Sequence, residues 1–141
     1  MSSPTNVPAL FRPLHVGIAV RDMAAAVAFY ERAFGFTLQH GPVDDPIQQV
    51  TVCFLAAADG IEIELIAPLG DKSPVARYLA RETGAYHVCY EVPDIATASQ
   101  RALDNGCIPV SPPVPAAAFA GRLIAWFYTP TKQLVEFLQS K

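Results

Sequence analysis

The decapeptide LHVGIAVRDM, starting at Leu14, returns 72 residues later as YHVCYEVPDI, starting at Tyr86. Laid over each other in that register, His15 meets His87, Val16 meets Val88, Val20 meets Val92 and Asp22 meets Asp94. The same offset relates Glu64, inside EIELI, to Glu136, inside LVEFL. Insertions therefore cancel between the first and last strands of each half, so this is one shared register and not two coincidences. A twofold repeat of this length divides the 141 residues into two like modules that share one core.

Local patterns say what each module contains. HVGIAV (15–20) alternates as a short strand, and Asp22 stands where a helix cap belongs. MAAAVAFYERAFG (23–35) carries apolar residues at helical spacing up to Gly35. FTLQH (36–40) reads as a strand, GPVDDP (41–46) as a turn-rich loop and QQVTVCFLAA (48–57) as a strand. Asp59-Gly60 marks a hairpin turn before the strand IEIELIAP (61–68). A short helix, SPVARYLAR (73–81), follows, with Ser73 as its cap and Pro74 in its first turn. The pattern then restarts, with a strand over 86–92, a helix over 95–106 behind Asp94, a strand over 107–112, a loop over 113–121 and strands over 122–130 and 133–139. The predicted architecture is α+β: one domain of two pseudo-twofold-related βαβββ modules, 13–82 and 83–141, behind a flexible tail over 1–12.

Hydrophobic residues make up 52% of the chain and charged residues 16%, a balance that suits a buried core. The net charge is −3 and no basic run stands out, which argues against a nucleic-acid partner. No apolar run approaches the ~20 residues of a membrane span. The opening MSSPTNVPALFRP has no basic segment followed by an apolar core, so it does not read as a secretory signal. Cys53, Cys89 and Cys107 are an odd set without a CxxC pair. They read as reduced thiols, and the expected location is cytoplasmic.

The pleat of a strand sorts its side chains onto two faces. His15 then lies with Gly17 and Ala19, opposite Val16, Ile18 and Val20. Glu62, Glu64 and Ile66 likewise share a face, opposite Ile61, Ile63 and Leu65. The branched faces suit packing on helices. The other faces turn His and Glu toward something polar, and the repeat brings two of each into a shared cavity. A lone strand histidine is usually a hydrogen-bonded core or edge residue, and a lone strand glutamate usually faces solvent. Matching both pairs in one register favours a joint site instead. Buried carboxylates need a cation or hydrogen bonds, and two imidazoles with two carboxylates suit a divalent first-row ion. His40, before a Gly-Pro turn and without a counterpart, reads as a surface residue.

These stretches resemble the vicinal oxygen chelate superfamily, which includes glyoxalase I, extradiol dioxygenases and bleomycin resistance proteins. Within it they are most similar to the methylmalonyl-CoA epimerase branch. The resemblance rests on HVGIAVRDMAAAVAFYERAFGF, EIELIAPLGDKSPVARYLAR, HVCYEVPDI and GRLIAWFYTP followed by LVEF. It implies paired βαβββ modules around a sheet cavity and a divalent metal (Co, Ni, Zn, Mn or Fe) on His15, Glu64, His87 and Glu136. It also implies a homodimer and a small-molecule substrate, with acyl-CoA as a candidate. The chain departs from the branch in having Tyr86 for the first of two adjacent histidines and Thr129 for a histidine after the seventh strand. Its third strand offers no carboxylate where some epimerases have one.

The expected chemistry is epimerisation or isomerisation at a carbon next to a carbonyl, with Glu136 and Glu64 as the catalytic carboxylates. Glu62 and Glu91 share faces with the ligands and are weaker candidates. Gln48 or Gln49 is expected to orient a substrate carboxylate or carbonyl. Lys72, Arg77, Arg81 and Arg122 read as scattered surface charges, and no Gly-rich phosphate loop is present. The alternatives are a glyoxalase-like lyase, a tailoring enzyme for a specialised metabolite, and a small-molecule-binding resistance protein. An extradiol dioxygenase fits less well, since that chemistry favours two His and one carboxylate on iron.

Overall fold

The computed structural model describes residues 10–81, 84–131 and 133–141. Its elements run β1 (Arg12–Ala19), α1 (Met23–Phe34), β2 (Thr37–Asp45), β3 (Val50–Ala56), β4 (Glu62–Pro68) and α2 (Pro74–Arg81) in the first half. The second half runs β5 (Gly84–Val92), α3 (Ile95–Asp104), β6 (Ile108–Pro115), a 3-10 turn (Ala117–Phe119), β7 (Leu123–Tyr128) and β8 (Leu134–Gln139). The strands form one eight-stranded sheet in the order β2-β3-β4-β1-β5-β8-β7-β6. Each half has the same internal order read outward from the centre. The halves meet where β1 pairs antiparallel with β5, as a pseudo-twofold axis through that seam requires. Within each half the first and last strands pair in parallel, β1 with β4 and β5 with β8.

The helix boundaries follow from their caps. The Asp22 carboxylate accepts from Ala25 N at 3.0 Å, and Gly35 takes the left-handed φ of 72° that ends α1. Ser73 Oγ accepts from Val75 N at 3.2 Å, with Pro74 opening α2. α1 packs on β2–β4 and α3 on β6–β8, both on the outer face of the sheet. The inner face is covered in the first half by Val75 and Leu79 of α2, which pack with Val52, Phe54 and Ile66. Ile18 and Val20 join the α1 core as their strand face predicts, but Val16 is 39% exposed. It lies on a central strand, between the sheet regions that α1 and α3 cover.

Three expectations need correction. Residues 41–45 are not a loop, because β2 continues through the cis Gly41-Pro42 bond to Asp45. β6 likewise extends to Pro115 through a segment expected to be loop. Both are edge strands with register shifts, and there a proline removes no ladder donor that a neighbour needs. β3 begins at Val50, not Gln48, because Gln49 turns the chain with φ 59°. The expected tail over 1–9 lies outside the described residues. β1, however, already begins at Arg12, and Phe11 packs against Phe137 with ring centroids 5.2 Å apart.

Candidate metal centre and cavity

The four central strands, β4-β1-β5-β8, each deliver one polar side chain to the inner face. Register places Glu64, Gly17 and His87 in one row across the sheet, and His15, Cys89 and Glu136 in the next. The second row is the pseudo-twofold image of the first. His15, Glu64, His87 and Glu136 are all buried, at 3%, 5%, 4% and 2% exposure. Their ligand atoms lie within 4.8 Å of one another. His87 Nε2 stands 3.4 Å from Glu64 Oε1 and 3.2 Å from Glu136 Oε1. His15 Nε2 is 3.6 Å from each of the same two oxygens, and the two Nε2 atoms are 3.3 Å apart.

Gly17 makes this convergence possible. A Cβ there would stand 2.2 Å from Cε1 and 2.4 Å from Nδ1 of His87, so the imidazole leans directly over the bare Cα. Ring packing sets the rest of the orientation. His87 meets Trp126 edge-on at 4.7 Å, and His15 packs against Phe54 at 5.5 Å and Phe119 at 6.2 Å. Among the described residues, neither Nδ1 atom has a hydrogen-bond partner.

The electrostatics are those of negative charge concentrated in a dry place. Burial alone would lower the His15 ring, but the carboxylates of Glu136 and Glu64 outweigh it and push it up to about 10. Burial would raise Glu136, yet hydrogen bonds and charge from His15 and His87 hold it well below the usual carboxylate range. A divalent ion fits this arrangement. The donors are the mixed N and O set such ions take, and donors about 2.0–2.2 Å from one centre stand ~3.0–3.5 Å apart.

A cavity of about 500 Å³ opens over Glu64 and Glu136. Val52, Ile66, Val114 and Ile124 form much of its wall. Gln48, Gln49, Tyr86 and Trp126 supply polar atoms, and Lys72 and Arg77 line it from its exposed side. Those two cations are thus gathered by the fold and are not scattered. Arg122 instead holds Glu91 at 2.8 Å and the Gln139 carbonyl at 2.8 Å. Glu91 is thereby a structural ion-pair residue, its carboxyl lowered by Arg12 first and Arg122 second. Glu62 does not line the cavity. His40 is exposed and stacks on Phe54, as a surface residue.

Sequence patterns did not point to Asp45, Trp126 or Phe119. Asp45 is buried, and its carboxylate accepts from Ile47 N and Gln48 N at 3.0 and 3.1 Å and from Ala117 N at 3.2 Å. It thus ties a turn of the first module to the 3-10 turn of the second beside the cavity. No local motif signals such a bond, because its two sides meet only in the folded chain. Cys53 and Cys89 are free and buried, as expected. Burial, and then the charge of Glu136, push the Cys89 thiol far up, so it is an inert thiol.

Paired modules of this topology around a buried His₂Glu₂ cluster define a class of protein, and the chain belongs to the Glyoxalase/Bleomycin resistance protein/Dioxygenase superfamily. The profile of that family matches residues 14–126. Among curated relatives, the ethylmalonyl-CoA/methylmalonyl-CoA epimerase of Cereibacter sphaeroides is 42% identical over 94 residues, covering 65% of this chain and 69% of the relative. Methylmalonyl-CoA epimerase from Mycobacterium tuberculosis shares the fold with a TM-score of 0.84 at 24% identity, over 98% of this chain and 94% of that one. A variant of the Streptomyces coelicolor methylmalonyl-CoA epimerase, in complex with 2-nitronate-propionyl-CoA, matches with a TM-score of 0.78 at 27% identity, over 94% and 99% of the two chains.

Proposed function

We propose that this chain is a metal-dependent epimerase acting at the carbon next to the carbonyl of an acyl thioester, with methylmalonyl-CoA as the first substrate to test. The observation that carries the reading is the pairing of Glu64 and Glu136, one from each module, on a single buried cluster that opens into a mostly apolar cavity. Among the described lining residues, the other carboxylate is Asp45, and three backbone N–H groups already occupy it. Proton removal therefore falls to Glu64 or Glu136. Their pseudo-twofold relation suits service to opposite faces of a planar carbon.

His15, His87, Glu64 and Glu136 would hold the ion. When bound, a divalent ion would polarise the carbonyl oxygen and stabilise charge that develops on it. The apolar wall of Val52 and Ile66 keeps water from the reacting carbon. Tyr86, raised to about 12 by burial first and by Tyr128 and Glu136 after it, stays protonated and can donate a hydrogen bond. Lys72 and Arg77 suit an anionic carrier such as CoA. A homodimer, on the family resemblance, and a cytoplasmic location, on an odd set of cysteines without a CxxC pair, are part of the same proposal.

A glyoxalase-like lyase is the second reading. β3 turns Val50 and Val52 to the cavity and offers no carboxylate, and the same tetrad would serve proton transfer on a thiol adduct. Incubation of metal-loaded protein with methylmalonyl-CoA in deuterium oxide tests the choice. Label at the α-carbon with loss of stereochemical purity supports the epimerase. Turnover of a hemithioacetal without label in any acyl thioester supports the lyase and removes the epimerase reading.

A further inference from the structure

We propose that Gln48 selects substrates bearing a hydrogen-bond acceptor, above all a carboxylate, on the carbon next to the thioester carbonyl, and that Trp126 is the positioning residue that sets its polarity. The inference rests on the acyl-thioester reading above.

The amide of a glutamine can present oxygen or nitrogen, but here one neighbour decides. Trp126 Nε1 lies 3.2 Å from Gln48 Oε1. An indole N–H only donates, so the amide oxygen must face it. The group left to face the cavity is the NH₂, which forms no hydrogen bond to the described residues. Gln48 is thus a fixed donor and not a switchable amide. Its main chain is fixed as well, because Gln48 N donates to Asp45 Oδ1 while Asp45 Oδ2 accepts from Ala117 N of the other module.

The donor is joined to the metal cluster by rigid parts. Trp126 pairs in register with Glu136, and its ring meets His87 edge-on at 4.7 Å. A substrate whose carbonyl sits at the cluster therefore meets an N–H at a set position on the wall. Gln49 lines the same cavity but is exposed, on a left-handed residue with φ 59°. It has no neighbour to hold its amide among the described residues. Lys72 and Arg77, on the same cavity, favour a carboxylate over a neutral acceptor. Val50, Val52 and Ile66 on the same lining offer a carboxylate nothing, while Tyr86, Ser111 and Tyr128 add hydroxyls to it.

The test compares two thioesters of nearly equal shape, methylmalonyl-CoA and isobutyryl-CoA, which differ by a carboxylate against a methyl group. Affinities are measured calorimetrically on metal-loaded protein, with circular dichroism as a fold check. Wild type is expected to prefer methylmalonyl-CoA. Gln48→Leu should reduce that preference about 10- to 100-fold, the usual cost of a lost hydrogen bond to a charged group, with isobutyryl-CoA affinity unchanged. Gln48→Glu keeps an acceptor for the indole and should invert the preference. Trp126→Phe, which leaves a ring but frees the amide to turn, should lower the preference less than Gln48→Leu does. A purely structural role would move both affinities together. Equal affinities in wild type, or a wild-type ratio in folded Gln48→Leu, would overturn the assignment and leave the thioester reading standing. Failure of wild type to bind either thioester would overturn that reading and this one with it.

Discussion

Gly17→Ala tests the geometry of the centre with a single methyl group. Gly17 shows no left-handed φ, so its backbone suits any residue. Loss of glycine entropy alone would make alanine stabilising in a strand by roughly 0.5–1 kcal/mol. Space reverses that sign. The new Cβ would lie 2.2 Å from His87 Cε1, 2.4 Å from Nδ1 and 2.9 Å from Nε2. Carbon atoms in contact prefer about 3.5–4.0 Å, so the ring must retreat by more than ~1 Å. Trp126 stands at 4.7 Å on the ring edge and restricts that retreat. Overpacking of this kind costs about 1–3 kcal/mol. The displaced Nε2 also leaves the other three donors. Disturbing the support of a metal ligand typically lowers affinity 10- to 100-fold, and displacing the ligand itself should cost at least ~100-fold. Metal affinity is read by competition with a chromophoric chelator, and apo stability by thermal melting. Wild-type affinity in folded Gly17→Ala would refute the placement of His87 over Gly17.

Four further outcomes are expected. Metal loading near pH 7.5 should release about one proton, because His15, raised from 6.5 to about 10, is protonated without the ion and must be neutral to ligate; titration calorimetry in buffers of different ionisation heat measures it. The same raised pKa gives the apo protein stability that is fully present below pH 6.5 and lost as pH rises toward 10, so its denaturant midpoint should fall across that window. Glu136→Gln should keep the fold and reduce α-proton exchange ~10²–10⁴-fold, as mass detection of deuterium would show. Asp45→Ala leaves three backbone N–H groups without their acceptor and should lower stability by about 1–3 kcal/mol, read from urea unfolding.

The candidate ligands were legible because repeat and pleat are both properties of the linear chain. His15, Glu64, His87 and Glu136 each stand on a central strand, and matched offsets place matched side chains about one axis. The caps at Asp22, Gly35 and Ser73 were legible for the same reason, since each acts within a few residues. What escaped depends on contacts between the halves. Asp45 reads as loop until Ala117 comes beside it, and Gly17 reads as any small residue until His87 lies over it. Lys72 and Arg77 look dispersed until α2 folds onto the inner face. β2 and β6 were cut short because proline is a poor strand residue everywhere except at an edge, and edge position is set by the whole sheet.

That edge position also bears on how the protein avoids clumping. Ile108 and Val110 on β6 are 64% and 51% exposed, an apolar rim of the kind that recruits neighbouring chains. Yet β6 reads IPVSPPVP, with prolines at four of its eight positions. Each proline lacks the N–H that an incoming strand would need, so the rim is sticky but cannot template a ladder. Selection against proline at Pro109, Pro112, Pro113 or Pro115 would turn this border into a seed for fibre-like growth, whatever became of catalysis.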